Sequence, residues 1–291
     1  MGLVQSETTG KLGGMVHQQS DLIKTEDGFE YRDLNKNGKL DIFEDTRQPI
    51  KARMEDLLRQ MTPAEKAGML FINGSVVNTD GSIEDKPGTP GFGGVASALV
   101  TAQKMNHFNL WEIPAPQVVA VWHNKLQRLA EQTRLGIPVT IASDPRNHFS
   151  QSIYEMAASG FSQWCETLGF GAIGDPDLVR QFAEIVRQEY LAVGIRVALH
   201  PQVDLATEPR WPRINGTFGE DAQLAALLTK AYIRGLQGEQ LGPESVACMT
   251  KHFPGGGPQL EGLDPHFEFQ KGQIYPGNNF DYHLIPFEAA L

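Results

Sequence analysis

The 291-residue sequence predicts an α/β protein, a (β/α)8 TIM-barrel-like fold preceded by an N-terminal extension. Apolar runs of strand length alternate with amphipathic segments of helix length, which is typical of parallel βα units. Polar and charged residues come directly after several of these runs, where parallel-strand folds bind ligands. A complete barrel needs about 250 residues and eight such units. Fewer than eight can be counted, so we expect an incomplete barrel.

The extension comprises residues 1–48, and the predicted barrel domain comprises residues 49–291. Residues 1–30 are polar and rich in Gly, Thr and Gln, without periodicity, which predicts a flexible tail. From Pro49, apolar residues recur at three- and four-residue steps and predict a helix. Thr62 with Glu65 three residues later forms a predicted capping box, which opens a second helix.

The extension also contains the twelve-residue pattern of an EF-hand-like calcium loop. Oxygen-bearing side chains occupy positions 1, 3, 5, 9 and 12, glycine occupies position 6, and position 7 supplies a carbonyl. The candidate metal ligands are Asp33, Asn35, Asn37, Lys39, Asp41 and Glu44. A single loop in a chain of this length favours a structural Ca²⁺ over a calcium sensor. An Asn/Gly-rich turn that binds no metal remains the alternative.

Predicted strands and helices alternate along the barrel domain. The predicted strands are Val95–Val100, Ile137–Ala142, Ile195–Leu199 and Val246–Met249. The predicted helices are Val118–Thr133, Asp177–Val193 and Asp221–Leu236. At the end of the sequence, a helix is expected to start at Pro286 and to stop after one turn at Leu291.

Composition excludes some classes of function. The chain carries 25 Lys and Arg against 35 Asp and Glu, a formal charge of −10, so we expect no nucleic-acid partner. No apolar run is long enough for a membrane helix, and no secretory signal is visible. Cys165 and Cys248 are the only cysteines, and buried structural thiols are a better interpretation than a metal pair.

Two motifs bear residues suited to a ligand rich in hydroxyl groups, and a carboxylate, that of Asp144, follows another apolar run. Asp144 follows the predicted strand Ile137–Ala142, and Lys251-His252, with a run of glycines behind them, follows Val246–Met249. Between these lies Arg210-Trp211-Pro-Arg213, where guanidinium donors stand beside an indole face. Taken singly, each motif is equally compatible with a buried structural histidine or a packed tryptophan in a loop.

Taken together, the stretch from Asp204 to Asp221 and the sequence Lys251-His-Phe-Pro-Gly-Gly resemble glycoside hydrolase family 3. Thr62–Gly68 and Gly136–Asp144 are similar to that family's first helix and early strand. The resemblance covers about Pro49 to Leu291. It implies a barrel that holds the terminal non-reducing sugar, with four ligands at Asp144, Arg213, Lys251 and His252.

The sequence departs from the family pattern at the catalytic carboxylates. The family's nucleophilic Asp lies in a Ser-Asp-Trp-like motif on a later strand, and no such motif follows Lys251. No catalytic residue is therefore assigned: the nucleophile is expected beyond Leu291 and the acid Glu later still. We expect this chain to be a fragment that is inactive alone. Asp264-Pro-His266 has the Asp-x-His spacing of the family's N-acetylglucosaminidases, but a simple turn around Pro265 is the favoured interpretation.

The resemblance implies a parent retaining exo-β-glycosidase, most simply a β-glucosidase acting on a β-glucoside or oligosaccharide. Two alternatives stay open: a β-N-acetylglucosaminidase of the same family, and a non-catalytic sugar- or calcium-binding module. No cofactor is expected for catalysis, and a homo-oligomer is compatible with the sequence. A role in degrading sugar polymers favours a periplasmic or extracellular location with the signal not visible, with the cytoplasm as the alternative.

Overall fold

The computed structural model describes residues 22–84, 95–149 and 160–291. The chain divides into two compact units between Ile141 and Ala142. Residues 22–48 fall in the same unit as the residues up to 141, and the domain boundary at residue 48 stays a prediction. Across the described ranges, no helix has both the length and the apolar character needed to cross a membrane.

The first unit begins with an antiparallel pair of strands, β1 (Leu22–Lys24) and β2 (Glu30–Arg32). Gly28, whose φ is +82°, donates its N–H to the Thr25 carbonyl at 2.9 Å and closes the connecting turn. The flexible tail predicted for residues 1–30 is therefore wrong for this hairpin, which buries Tyr31. The rest of that predicted tail, residues 1–21, lies outside the described residues.

In the described residues from 50 to 143, four helices and three strands follow. They are α1 (Ile50–Gln60), α2 (Pro63–Gly68), β3 (Asn73–Ser75), α3 (Ala96–Thr101), β4 (His107–Leu110), α4 (Pro116–Glu131) and β5 (Thr140–Ser143). The predicted capping box is confirmed at α2: the Glu65 N–H donates to Thr62 Oγ1, and the Thr62 N–H donates to Glu65 Oε2 at 2.8 Å.

One predicted strand of this unit is wrong. Val95–Val100 was expected to be a strand, but it forms most of α3. Its buried residues are Ala96 and Val100, four apart, which is the spacing of one helix face. Conversely, β3 and β4 were not predicted, because Asn-Gly-Ser is polar and His-Phe-Asn-Leu is too short for its alternation to stand out.

The second unit contains α5 (Thr167–Ile173), α6 (Pro176–Val193), β6 (Ile195–Ala198), α7 (Ala222–Gln237), β7 (Ala247–Cys248) and α8 (Phe280–Ala290). Aspartates cap the two long helices. Asp175 accepts from the N–H groups of residues 177 and 178, and Asp221 accepts from those of residues 223 and 224. Gly194, with φ +87°, ends α6.

Helices α6 and α7 pack closely because Gly235 has no side chain. A Cβ at this position would lie 2.5 Å from Cβ of Ala183. Aromatic rings fill the adjoining core: the ring of Phe182 lies 4.8 Å from that of Phe170 and 5.8 Å from that of Tyr232, between centroids. This packing supports the loops that leave β6 and β7.

The final helix starts earlier than predicted. It begins at Phe280, with Pro286 inside it, and not at Pro286. A proline at the first helical position is common, but here the buried face of His283, Pro286 and Phe287 extends the helix towards its N-terminus.

Beyond the antiparallel hairpin of β1 and β2, the paired strands run parallel. In the first unit β3 pairs with β4, and Thr140 of β5 donates its N–H to the Asn106 carbonyl at 2.7 Å. In the second unit the Leu199 N–H donates to the carbonyl of Ser143 at the end of β5, and β6 pairs with β7. Parallel strands connected by helices confirm the α/β class, and they bring the ends of β5, β6 and β7 to one edge of the second unit.

Candidate functional site

The site lies in the second unit, in the loops that leave β5, β6 and β7. Asp144 directly follows β5, and Lys251 lies three residues after β7. The ladder continues beyond the ends of β6 and β7, since Lys251 donates its N–H to the Pro201 carbonyl and accepts at its own carbonyl from Val203. This extension places the segment from His200 to Asp204 beside Lys251 and His252.

Asp144 and Lys251 form the first half of the site. Lys251 Nζ lies 2.6 Å from Asp144 Oδ1, although the two residues are 107 positions apart in the chain. The side chain of Lys251 is 20% exposed and that of Asp144 is 29% exposed, so both partners of the ion pair reach the surface. An ammonium group donates and a carboxylate accepts, so the pair offers both kinds of hydrogen bond to hydroxyl groups.

Arg213 and His252 form the second half. Arg213 Nη1 lies 3.2 Å from His252 Nε2, and the other ring nitrogen, Nδ1, lies 2.7 Å from Asp204 Oδ2. Arg213 and Lys251 both line one cleft, which His148, His200 and Gln202 also line. The structure thus gathers all four residues predicted as sugar ligands, in two contacting pairs. Their role as sugar ligands stays a prediction.

The glycine run after His252 allows the chain to pass close to the β6 loop. A Cβ on Gly257 would lie 1.9 Å from the Leu205 carbonyl oxygen, so no other residue fits there without moving the backbone. The Gly256 N–H also donates to Asp204 Oδ1. These contacts hold the turn that carries Lys251 and His252.

A buried chain of hydrogen bonds ends at the backbone carbonyl of Asp144. Tyr232 Oη lies 2.6 Å from His200 Nδ1, His200 Nε2 lies 3.1 Å from Tyr190 Oη, and Tyr190 donates to the Asp144 carbonyl at 3.0 Å. Since Tyr190 donates to the carbonyl, it accepts from His200 Nε2, so Nδ1 accepts from Tyr232. Burial, aided by the charge of Lys251, lowers the pKa of His200 to about 3, so the ring is neutral at neutral pH.

Trp211 does not offer its face to a ligand, as one interpretation of the sequence predicted. It is 2% exposed, and its indole Nε1 donates to Asp264 Oδ2 at 2.7 Å. The packed-tryptophan alternative is therefore correct. Arg210, from the same motif, forms a two-point ion pair with Glu208.

Asp264 and His266 contact each other through their side chains, with Nδ1 and Oδ1 separated by 2.6 Å. Asp264 also accepts from the His266 backbone N–H. Burial raises the pKa of Asp264, but the hydrogen bonds from His266 and Trp211 outweigh it and leave the pKa below its usual value. Asp264 is thus a carboxylate that braces its own turn, in agreement with the favoured interpretation of this loop.

The predicted calcium loop lies in the first unit. Asn35 Nδ2 and Asn37 Nδ2 approach Asp41 Oδ2 at 2.8 and 2.7 Å, and Gly38 has φ +76°. Glu44 accepts from three backbone N–H groups of the loop, those of residues 34, 35 and 41. Among the described residues, no three His, Cys, Asp or Glu side chains are arranged to hold a metal.

The two cysteines are free thiols. Burial raises the pKa of the Cys248 thiol to about 12 and also raises that of Cys165. Both thiols are therefore protonated and unreactive at neutral pH.

Sequence reasoning noted that polar residues follow β6 but gave no role to His200 or Asp204. Their position at a strand end, like that of Asp144, was the available signal. Tyr190 and Tyr232 were missed altogether, because each lies on the apolar face of a helix and looks like an ordinary core residue.

Comparison with known proteins identifies a family for this chain. The profile "Glycosyl hydrolase family 3 N terminal domain" matches residues 111–291. Beta-glucosidase C of Emericella nidulans is 49% identical over 262 residues, covering 89% of this chain and 41% of that protein. "Periplasmic beta-glucosidase/beta-xylosidase" of Dickeya chrysanthemi is 45% identical over 271 residues, covering 92% and 41%.

Among solved structures, a glycoside hydrolase family 3 β-N-acetylglucosaminidase from Paenibacillus sp. str. FPU-7 superposes with a TM-score of 0.64. Its sequence is 25% identical, and the match covers 79% of this chain and 40% of that one. The chain thus spans about two fifths of the length of these relatives. The profile match and the identity to the two β-glucosidases show that the chain belongs to glycoside hydrolase family 3.

Proposed function

We propose that this chain binds the terminal non-reducing β-D-glucosyl residue of a β-glucoside or oligosaccharide, as the sugar-holding part of a retaining exo-β-glucosidase with a (β/α)8 barrel. The observation that carries the proposal is the meeting of Asp144, Lys251, Arg213 and His252 at the strand ends. A glucosyl ring carries neighbouring hydroxyl groups, and one carboxylate can accept from two of them while Lys and Arg donate to their oxygens.

Sequence identity favours a β-glucosidase over an N-acetylglucosaminidase. Two relatives named as β-glucosidases are 45–49% identical, against 25% for the structure named as a β-N-acetylglucosaminidase. The Dickeya relative is also named a β-xylosidase, so a β-xyloside, which lacks the sixth carbon, is the second candidate substrate.

Retaining hydrolysis needs two carboxyl groups about 5 Å apart, a nucleophile and an acid/base. We assign neither role to the four sugar ligands, since they hold the ring and Asp144 is paired with Lys251. The 291-residue polypeptide is thus expected to bind sugar without turning over 4-nitrophenyl β-D-glucoside. Turnover that disappears in Asp264→Asn or Asp281→Asn would overturn this assignment.

The proposal is tested by titrating the chain with methyl β-D-glucoside, methyl β-D-xyloside and methyl N-acetyl-β-D-glucosaminide in a calorimeter. Saturable binding of the glucoside, tighter than that of the glucosaminide, is the expected result. Tighter binding of the xyloside would shift the assignment to the second candidate. Binding of none of the three sugars would overturn the sugar-holding role. If a longer polypeptide that includes this chain bound the glucoside without hydrolysing it, the non-catalytic module would be favoured.

We also propose a structural Ca²⁺ at the twelve-residue loop. The approach of Asn35 and Asn37 to Asp41 supports it, because it brings three of the predicted oxygen-bearing side chains together. The position of Glu44, bonded to backbone N–H groups, counts against it. A melting curve with and without Ca²⁺ decides between the two interpretations.

A periplasmic or extracellular location is the third proposal. It is supported by the name of the Dickeya relative, which is described as periplasmic. Cell fractionation with an antibody against the native protein tests it, and recovery with cytoplasmic markers would contradict it.

A further inference from the structure

We propose that Asp204 is a positioning residue that fixes the tautomer of His252 and, through it, the guanidinium of Arg213. The consequence for sugar binding rests on the proposed function, whereas the tautomer does not. Asp204 is buried and is not one of the four proposed sugar ligands; it acts through the imidazole ring of His252.

The carboxylate of Asp204 is fully buried, and both of its oxygens are engaged. Oδ2 lies 2.7 Å from Nδ1 of His252, and Oδ1 accepts from the backbone N–H of His252 at 3.1 Å and from that of Gly256. One buried acceptor therefore holds both the ring of His252 and the backbone around it. A buried charge is stable only with such partners.

These contacts dictate which nitrogen carries the proton. An ionised carboxylate only accepts, so Nδ1 of His252 must donate to it. In the neutral ring Nε2 then has a free lone pair, and Arg213, which only donates, can bond to it across the observed 3.2 Å. The opposite tautomer, or the doubly protonated ring, would set two N–H groups against each other.

The effect is confined to one half of the site. Asp144 and Lys251 pair directly at 2.6 Å, without Asp204 or His252. Loss of the Asp204 carboxylate should therefore weaken the hydrogen bond between Arg213 and His252 and leave the Asp144–Lys251 pair in place. A residue that merely kept the loop folded would instead disturb both halves together.

The test is Asp204→Asn, which keeps the shape but replaces one acceptor oxygen with a donor. Two readings are taken on the 291-residue chain: the ¹H–¹⁵N correlations of the His252 imidazole, and the affinity for methyl β-D-glucoside. Asp175→Ala is the matched control, because it removes a carboxylate that accepts two backbone N–H bonds at the start of α6.

In the native chain we expect the neutral Nδ1–H form of His252, and an Nε2–H form there overturns the inference without any variant. In Asp204→Asn we expect that form to be lost and the glucoside to bind about tenfold more weakly or worse, as for a lost charged hydrogen bond. Asp175→Ala should leave both the His252 tautomer and the glucoside affinity unchanged. An unchanged tautomer or an unchanged affinity in Asp204→Asn contradicts the proposal. If the native chain binds no glucoside, the proposed function is refuted, and the tautomer alone then tests the role of Asp204.

Discussion

The strand-end site and the twelve-residue loop differ in what holds them together. The ion pair of Asp144 and Lys251 joins residues 107 positions apart, and the bond between Asp204 and His252 spans 48. In the loop, the bonds of Asp33, Asn37 and Glu44 span ten positions or fewer. A local pattern can close on itself whether or not a ligand binds. Polar residues brought together from distant parts of the chain require the fold, so the strand-end site is the stronger indication of function.

The largest expected effect comes from comparing the same substitution, glycine to alanine, in the two regions. Gly257→Ala places a Cβ 1.9 Å from the Leu205 carbonyl oxygen, so we expect the free energy of unfolding to fall by about 3 kcal/mol. Gly38→Ala meets no atom within 4 Å, and only its φ of +76° is strained, at a cost of about 1 kcal/mol. Urea denaturation measures both, and equal losses would contradict the contrast. Gly242→Ala, which meets nothing, is the neutral control.

Acid should weaken the strand-end region through His200. Its folded-state pKa is about 3, below the value of about 6.5 in an unfolded chain, so below pH 6.5 the unfolded state binds the extra proton. Stability should fall by about 1.4 kcal/mol per pH unit between pH 6 and pH 4 from this group. Denaturation at several pH values should show a flatter slope for His200→Gln. An identical slope would mean that His200 takes up its proton at the same pH in the folded and unfolded states.

The twelve-residue loop should respond to acid in the opposite sense. Burial raises the pKa of Glu44 above its usual value, so the folded state takes up this proton before the unfolded state does. Its contribution to stability therefore increases as the pH falls through the raised pKa. An NMR titration of the Glu44 carboxyl carbon measures the pKa directly, and a value below that of an unfolded chain would refute this sign.

The smallest expected effect is that of Ca²⁺ on the loop. Binding to the folded state alone stabilises by RT ln(1 + [L]/Kd), about 1 kcal/mol at five times Kd. The melting temperature should rise with Ca²⁺ and not with chelator, and Asp33→Ala with Glu44→Ala should remove the rise. Asp80→Ala, which removes a carboxylate that accepts two hydrogen bonds in a separate turn, should keep the rise. Identical melting curves would leave the loop as a turn that binds no metal.

The parts of the fold that sequence predicted well are those set by local chemistry. The capping box at Thr62 is a local signal, and the predicted bounds of α6 and α7 agree with the structure to within one residue. The strand Val95–Val100 was mispredicted because a short apolar run fits a helix face as well as a strand. The start of α8 was mispredicted because Pro286 lies within it.

The same distinction between local and long-range signals applies to the site. Asp144, Lys251 and His252 were noted from their position after apolar runs, and Arg213 from its motif with Trp211. The family resemblance implied all four as sugar ligands. Trp211 donates a hydrogen bond to Asp264, 53 positions later, and the carbonyl of Asp144 accepts one from Tyr190, 46 positions away. Such pairings follow from the tertiary fold, which no local pattern in the sequence reveals.

The measurement that most directly tests the account compares two lysine–carboxylate pairs of the second unit. Lys251 pairs with Asp144 in the proposed sugar site, and Lys271 pairs with Glu261 at the same distance of 2.6 Å outside it. Calorimetric titration with methyl β-D-glucoside should show affinity at least about tenfold weaker for Lys251→Met, since a hydrogen bond from a charged group contributes about 1.5–3 kcal/mol. Lys271→Met should bind like the native chain. Equal affinities for the two variants would contradict the assignment of Lys251 to the sugar.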